Sequence, residues 1–131
     1  MQSYYNPEDL KKFGTIGTFG AKNLAGDFFK YYGDVFAEGA LTSREKSLIA
    51  LAVAHVLKCP YCIDAYTTDT LEQGCSEDEM MEAVHVSAVM AAGITLVHST
   101  QMINKAKNNF HESGVGPILW GTIITVCSLV T

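Results

Sequence analysis

Charge is what this 131-residue chain has least of. Charged residues make up 18% of it, and its 9 Lys and Arg are outnumbered by 14 Asp and Glu, for a net charge of −5. A nucleic-acid binder needs a basic face to meet phosphate, so that class is excluded. Also missing is any sustained alternation of polar and apolar residues before residue 114, which argues against a sheet. The three glycines Gly14, Gly17 and Gly20 do not fit a dinucleotide-binding fingerprint, and no Lys-Ser/Thr follows at phosphate-loop spacing. A plain loop is expected there. The opening Met1-Gln2-Ser3-Tyr4-Tyr5 has neither a basic stretch nor an apolar core. A cytoplasmic location is therefore expected, with no membrane association and with thiols kept reduced.

What is present is apolar: 48% of the residues. One chain of this length folds as one domain with a real core. So little charge beside so many Ala, Val, Ile and Met suggests more apolar surface than one subunit can hide, and a homo-oligomer is expected. The body is taken as residues 1–114. The uncharged tail 115–131, rich in β-branched residues, is expected to be covered by that body or by a neighbouring subunit.

Helix signals punctuate the body. Asn6-Pro7-Glu8-Asp9 opens a short helix with an Asn cap, Pro at the first position and acids in the first turn. Residues 21–38 place Leu24, Phe28, Tyr31, Tyr32, Val35 and Phe36 at three- and four-residue spacing, a packing stripe ended by Gly39. Thr42-Ser43-Arg44-Glu45 is a capping box, and the helix after it is apolar nearly all round, which suits the centre of a bundle. Ser76-Glu77-Asp78-Glu79 is a second capping box. Its helix should turn Met80, Met81, Val84, Ala88 and Val89 inward and stop near Gly93, with a further helix from Thr95 bearing His98 and Gln101 as inward polar groups. The fold class is all-α.

The chemistry centres on Cys59-Pro60-Tyr61-Cys62. Thiols three apart share a helical turn, so they can close a disulfide or offer two soft metal ligands. Pro60 suits a first helical position, which makes Cys59 the cap and puts Cys62 one turn in, where N–H groups and the helix dipole stabilise a thiolate. His55, four residues earlier, is the one polar interior residue of its helix. Cys75 is expected to be exposed beside a helix end, and Cys127 to be a small apolar residue of the tail. A structural zinc site normally shows a second close ligand pair, which is missing here. Three readings stay open: a thiol–disulfide enzyme, a metal module joining the cysteines to His55, His85 or His98, and a non-catalytic oligomeric partner that keeps the pair.

Taken together, Leu41-Thr42-Ser43-Arg44-Glu45-Lys46, the run Leu48 to Ala54, Cys59 to Tyr66, Glu72-Gln73-Gly74 and Glu79 to Ala83 resemble the alkyl hydroperoxidase D / carboxymuconolactone decarboxylase family over roughly residues 40–110. The N-terminal Tyr4-Tyr5 and Phe13-Gly14, with Ala54 through Tyr66, are similar to its arsenosugar-biosynthesis-associated peroxidase-like branch. The resemblance implies an alkyl hydroperoxidase D-like helical bundle assembled as trimers or hexamers. It also implies a redox-active disulfide of Cys59 and Cys62 that reduces peroxides or a partner disulfide, with Cys62 attacking first and an unidentified dithiol returning the electrons. No cofactor or metal is implied, and the cysteine pair argues against lactone chemistry. Redox members of the family carry Glu twelve residues before the first cysteine and His four after the second. Here those positions hold Ser47 and Tyr66, neither a base near neutral pH. His55 is the expected substitute, Tyr66 a possible orienting donor, and Glu45 a weaker choice because its capping box already explains it.

Overall fold

A computed structural model of the chain describes residues 3–112, with side chains to Asn109. The expected tail, Cys127 included, lies outside those residues. The described chain is all-α, as the sequence predicts: a 3₁₀ helix (Pro7–Phe19), then α1 (Lys22–Phe36), α2 (Ser43–Val56), α3 (Pro60–Glu72) and α4 (Glu77–Glu112). The chain divides into two compact units, Met1–Ala92 and Gly93–Thr131. The candidate site lies in the first.

The caps read from the sequence are in place. Asn6 accepts the Glu8 N–H, and Thr42 and Glu45 bond reciprocally across the first turn of α2. Ser76 and Glu79 do the same before α4, with the Ser76 N–H on the Glu79 carboxylate at 2.8 Å and the Glu79 N–H on Ser76 Oγ at 3.2 Å. Helix α3 closes on Gly74, whose φ of +76° is the left-handed turn that glycine adopts without penalty. The Gly74 N–H reaches Leu71 O at 3.0 Å and the Cys75 N–H reaches Thr70 O at 3.0 Å, a Schellman close. That close folds Cys75 inward. It is buried, contrary to the sequence expectation, because the residue after the glycine packs back on the helix it has just left.

Helix α2 packs chiefly on α3, and α1 packs against the 3₁₀ helix. On α2 only the stripe Ser47, Leu51 and Ala54 is buried; Ile49 and Val53 remain 50% and 49% exposed. The all-round apolar helix is thus half covered within one subunit. Further differences from the sequence reading have simple causes. The first helix does not stop before Gly14 but continues through Gly14 and Gly17 as 3₁₀ turns to Phe19. Helix α4 passes through Gly93 without a break, since a glycine inside a helix costs only about 1 kcal/mol relative to alanine. Met80 and Val84 are half-buried, but Met81, Ala88 and Val89 are exposed, as are His98 and Gln101.

Candidate functional site

Two helix ends meet at Cys59. Helix α2 closes with the Lys58 N–H on His55 O at 3.2 Å and the Cys59 N–H on Ala54 O at 3.1 Å, again a Schellman pattern. Its left-handed position is taken by Lys58, at φ +54°, where glycine is the usual occupant. The chain re-enters helix at once. Cys59 is extended, caps α3, and accepts the Cys62 N–H on its own sulfur at 3.2 Å; Pro60 follows at the first helical position. The two Cα atoms are 5.3 Å apart and the sulfurs are joined as a disulfide. That separation lies in the ordinary range for disulfides.

The pair opens onto a cavity of about 430 Å³. Cys59, Tyr61 and Cys62 line one side, and Leu10, Phe13 and Ile16 of the 3₁₀ helix line the other. Asp9 and Lys12 complete the lining, and the Lys12 ammonium sits 2.5 Å from the Asp9 carboxylate. That hydrogen bond, with the carboxylate's charge, raises the Lys12 pKa, so the two charges cancel at the cavity. The segment is tied down by Tyr5, whose ring lies 4.8 Å from that of Tyr61, and by the Asn6 N–H, which reaches Tyr61 Oη at 3.4 Å.

Tyr66 lies one turn beyond Cys62 on the same stripe of α3, but it lines a different cavity, of about 360 Å³, shared with Tyr32, Phe36, Ser47 and Asp69. Its hydroxyl is hydrogen-bonded to that of Tyr32. Burial, then that bond, pushes the Tyr66 phenol far above its ordinary value. Tyr66 therefore holds its proton. Ser47 is fully buried and donates its hydroxyl to Asp69. Rings continue from Tyr66 through Phe36, Tyr32 and Phe28 to Phe13, so one aromatic row joins this cavity to the wall of the first.

His55 lines a third cavity, of about 260 Å³, with Leu51, Thr67, Glu77, Met80 and Val84. Its Nδ1–H donates to Leu51 O at 2.8 Å, one turn back on its own helix. The ring and the disulfide thus face different cavities. Glu45 is fully engaged in the capping box, and the Thr42 N–H, then the Thr42 hydroxyl, hold its carboxyl below the usual range. The sequence reading passed over Asp69, Leu10 and Ile16, took Tyr32 as packing alone, and used Phe13 only in the family resemblance. Asp69 carries one signal: Cys62, Tyr66, Asp69 and Gln73 recur at helical spacing, one polar stripe on α3.

Residues 23–105 match the carboxymuconolactone decarboxylase family. The chain belongs to that family. The matched span holds Cys59, Cys62, His55 and Tyr66 and leaves the 3₁₀ helix outside it. A Paracoccus denitrificans protein described as "Uncharacterized protein 4 in cox locus" is 44% identical over 69 residues, covering 53% of this chain and 62% of that protein. The chain therefore matches less than two thirds of that relative's length. A crystal structure of a protein from Methanobacterium thermoautotrophicum matches with a TM-score of 0.60 at 32% identity, covering 63% of this chain and 92% of that one.

Proposed function

We propose that this member of the carboxymuconolactone decarboxylase family is a thiol–disulfide oxidoreductase that reduces peroxides or a partner disulfide through Cys59 and Cys62. One observation carries the reading: a disulfide-bonded pair stands at a helix N-terminus, with a backbone N–H on the sulfur of Cys59, and opens onto an apolar cavity. The same N–H would hold charge on that sulfur after reduction.

In the peroxide cycle one thiolate attacks the outer oxygen of R–O–O–H. The O–O bond breaks, the alkoxide leaves with a proton as R–OH, and the sulfur becomes a sulfenic acid. The second thiol then attacks that sulfur, water leaves, and the disulfide closes. Two electrons have passed from the thiols to the peroxide. A dithiol donor restores the pair by exchange and is itself oxidised to a disulfide. A reducing cytoplasm suits this cycle. Tyr66, one turn beyond Cys62 but bonded to Tyr32 in the neighbouring cavity, is not placed at the thiols. Its raised pKa bars it from acting as a base near neutral pH.

The half-exposed apolar face of α2 supports a homo-oligomer, a trimer or hexamer by family resemblance. A monomer in a dilute-solution mass measurement would refute that part. The redox reading is tested by following peroxide loss with dithiothreitol as donor. Consumption should be catalytic and should vanish in Cys59→Ser and Cys62→Ser. If the intact chain consumed no peroxide and reduced no small disulfide, the pair would be a structural clasp in a non-catalytic partner.

A further inference from the structure

We infer that the N-terminal 3₁₀ helix is the selectivity wall of the dithiol, with Leu10, Phe13 and Ile16 favouring uncharged, apolar electrophiles over charged ones. This deepens the redox reading of Cys59 and Cys62 and rests on it for its biological meaning. The wall itself is argued from geometry alone.

The turn Cys59–Cys62 supplies only one side of the cavity; the opposite side comes from a segment more than forty residues earlier. The three side chains it presents are two aliphatic groups and a phenyl ring. The two charges beside them, on Asp9 and Lys12, pair with one another at 2.5 Å, so the cavity carries no net charge from its own lining. A charged electrophile seated against Leu10, Phe13 and Ile16 loses hydration to apolar side chains, whereas an apolar one gains by leaving water.

The wall is held by side chains more than by its own backbone. Thirteen residues is long for a 3₁₀ helix, a geometry with poor hydrogen bonds, and none of its residues is buried. Its anchors are Tyr5 on Tyr61 at one end and Phe13 edge-on to Phe29 at 5.2 Å. Gly17 supplies the close approach to α1. A Cβ at that position would stand 2.9 Å from Ala25 Cβ, so any larger residue pushes the segment off α1. The family match begins at residue 23, so the wall belongs to the part of this chain outside the family's shared span.

Alkylation of the reduced full-length chain tests the wall without requiring turnover. The probes are N-phenylmaleimide, apolar, and N-(2-carboxyethyl)maleimide, anionic. Each rate at Cys59 and Cys62, read by peptide mass spectrometry, is normalised to the same probe's rate with glutathione. The wild type should favour the phenyl probe by about tenfold, the scale expected from burying one small apolar group. Phe13→Ser should bring the ratio close to that of glutathione, and Phe13→Leu should restore most of the preference. Gly17→Val, which displaces the segment by a different route, should lower the ratio too while far-ultraviolet circular dichroism still shows the helical body. A wild-type ratio near that of glutathione, or a preference untouched in both Phe13→Ser and Gly17→Val, overturns the wall. A preference that follows these substitutions in a chain consuming no peroxide and reducing no disulfide upholds the wall and overturns the redox reading instead.

Discussion

The backbone N–H of Cys62 donates to the sulfur of Cys59 at 3.2 Å, so the first turn of α3 is capped by a disulfide sulfur where Ser, Thr, Asp or Asn usually stands. After reduction the same bond stabilises a negative Cys59 sulfur more than a neutral one. Cys59 should therefore be the more acidic thiol and the better leaving group when the disulfide is opened; as the readier thiolate it is also the expected nucleophile toward peroxide, whereas the family resemblance implies first attack by Cys62. In Cys62→Ser, the iodoacetamide rate at Cys59 should rise at a lower pH than that of a free thiol, as for cysteines at helix N-termini. In Cys59→Ser the midpoint at Cys62 should lie higher. The reverse order would remove the N-cap bond from the account.

His55 donates Nδ1–H to its own helix and lines a cavity apart from the one at the dithiol. His55→Gln should thus change the rate of dithiol alkylation less than about twofold and leave its pH profile unaltered. A loss of tenfold or more, within the range typical of a missing general base, would put the imidazole on the proton path.

Tyr66 keeps its proton because it is partly buried and bonded to Tyr32. An unfolded tyrosine ionises near about pH 10. Above that pH the folded chain holds a proton that the unfolded chain has lost, so stability falls as pH rises. In an ultraviolet titration of the folded chain, one phenol should ionise after the others, and Tyr66→Phe should abolish that last step. An unchanged titration would refute it.

Glu79 accepts two bonds from Arg44, at 2.7 and 2.6 Å, and one from the Ser76 N–H. The Arg44 guanidinium first, then Ser76, lower its carboxyl to about 2. An unfolded glutamate titrates near about 4.3, so this contribution is complete above that pH and is lost as pH falls towards 2. Urea midpoints of the wild type should drop across that window, and Glu79→Gln should flatten the drop. Equal slopes in both proteins would show that Glu79 is not the group responsible.

The helix starts were legible because a cap is a local device. Asn6, Thr42 with Glu45, and Ser76 with Glu79 each bond within their own first turn, so a few letters suffice. Cys59 as cap with Pro60 behind it was legible for the same reason. What escaped depends on residues far apart in the chain. Leu10 and Phe13 lie about fifty residues before Cys62, and only folding sets them across from it. Asp69 gains its role only from Ser47, 22 positions earlier, which donates to it. Gly14, Gly17 and Gly93 suggested breaks, but helical turns tolerate glycine at modest cost, and Gly17 is needed for closeness to Ala25. Lys58 gave no sign of its left-handed backbone, which the two abutting helix ends impose.

The central claim, that Cys59 and Cys62 are a working redox couple, is met most directly by a thiol balance on the intact chain. The reduced protein is given one equivalent of hydrogen peroxide, quenched with iodoacetamide, and digested for mass spectrometry. The account predicts that the peptide carrying Cys59 and Cys62 loses two hydrogens and escapes alkylation, that Cys75 keeps its thiol, and that dithiothreitol returns the pair to the reduced form. A pair that stayed reduced and fully alkylated after peroxide, or a disulfide that dithiothreitol opened only in denaturant, would contradict it.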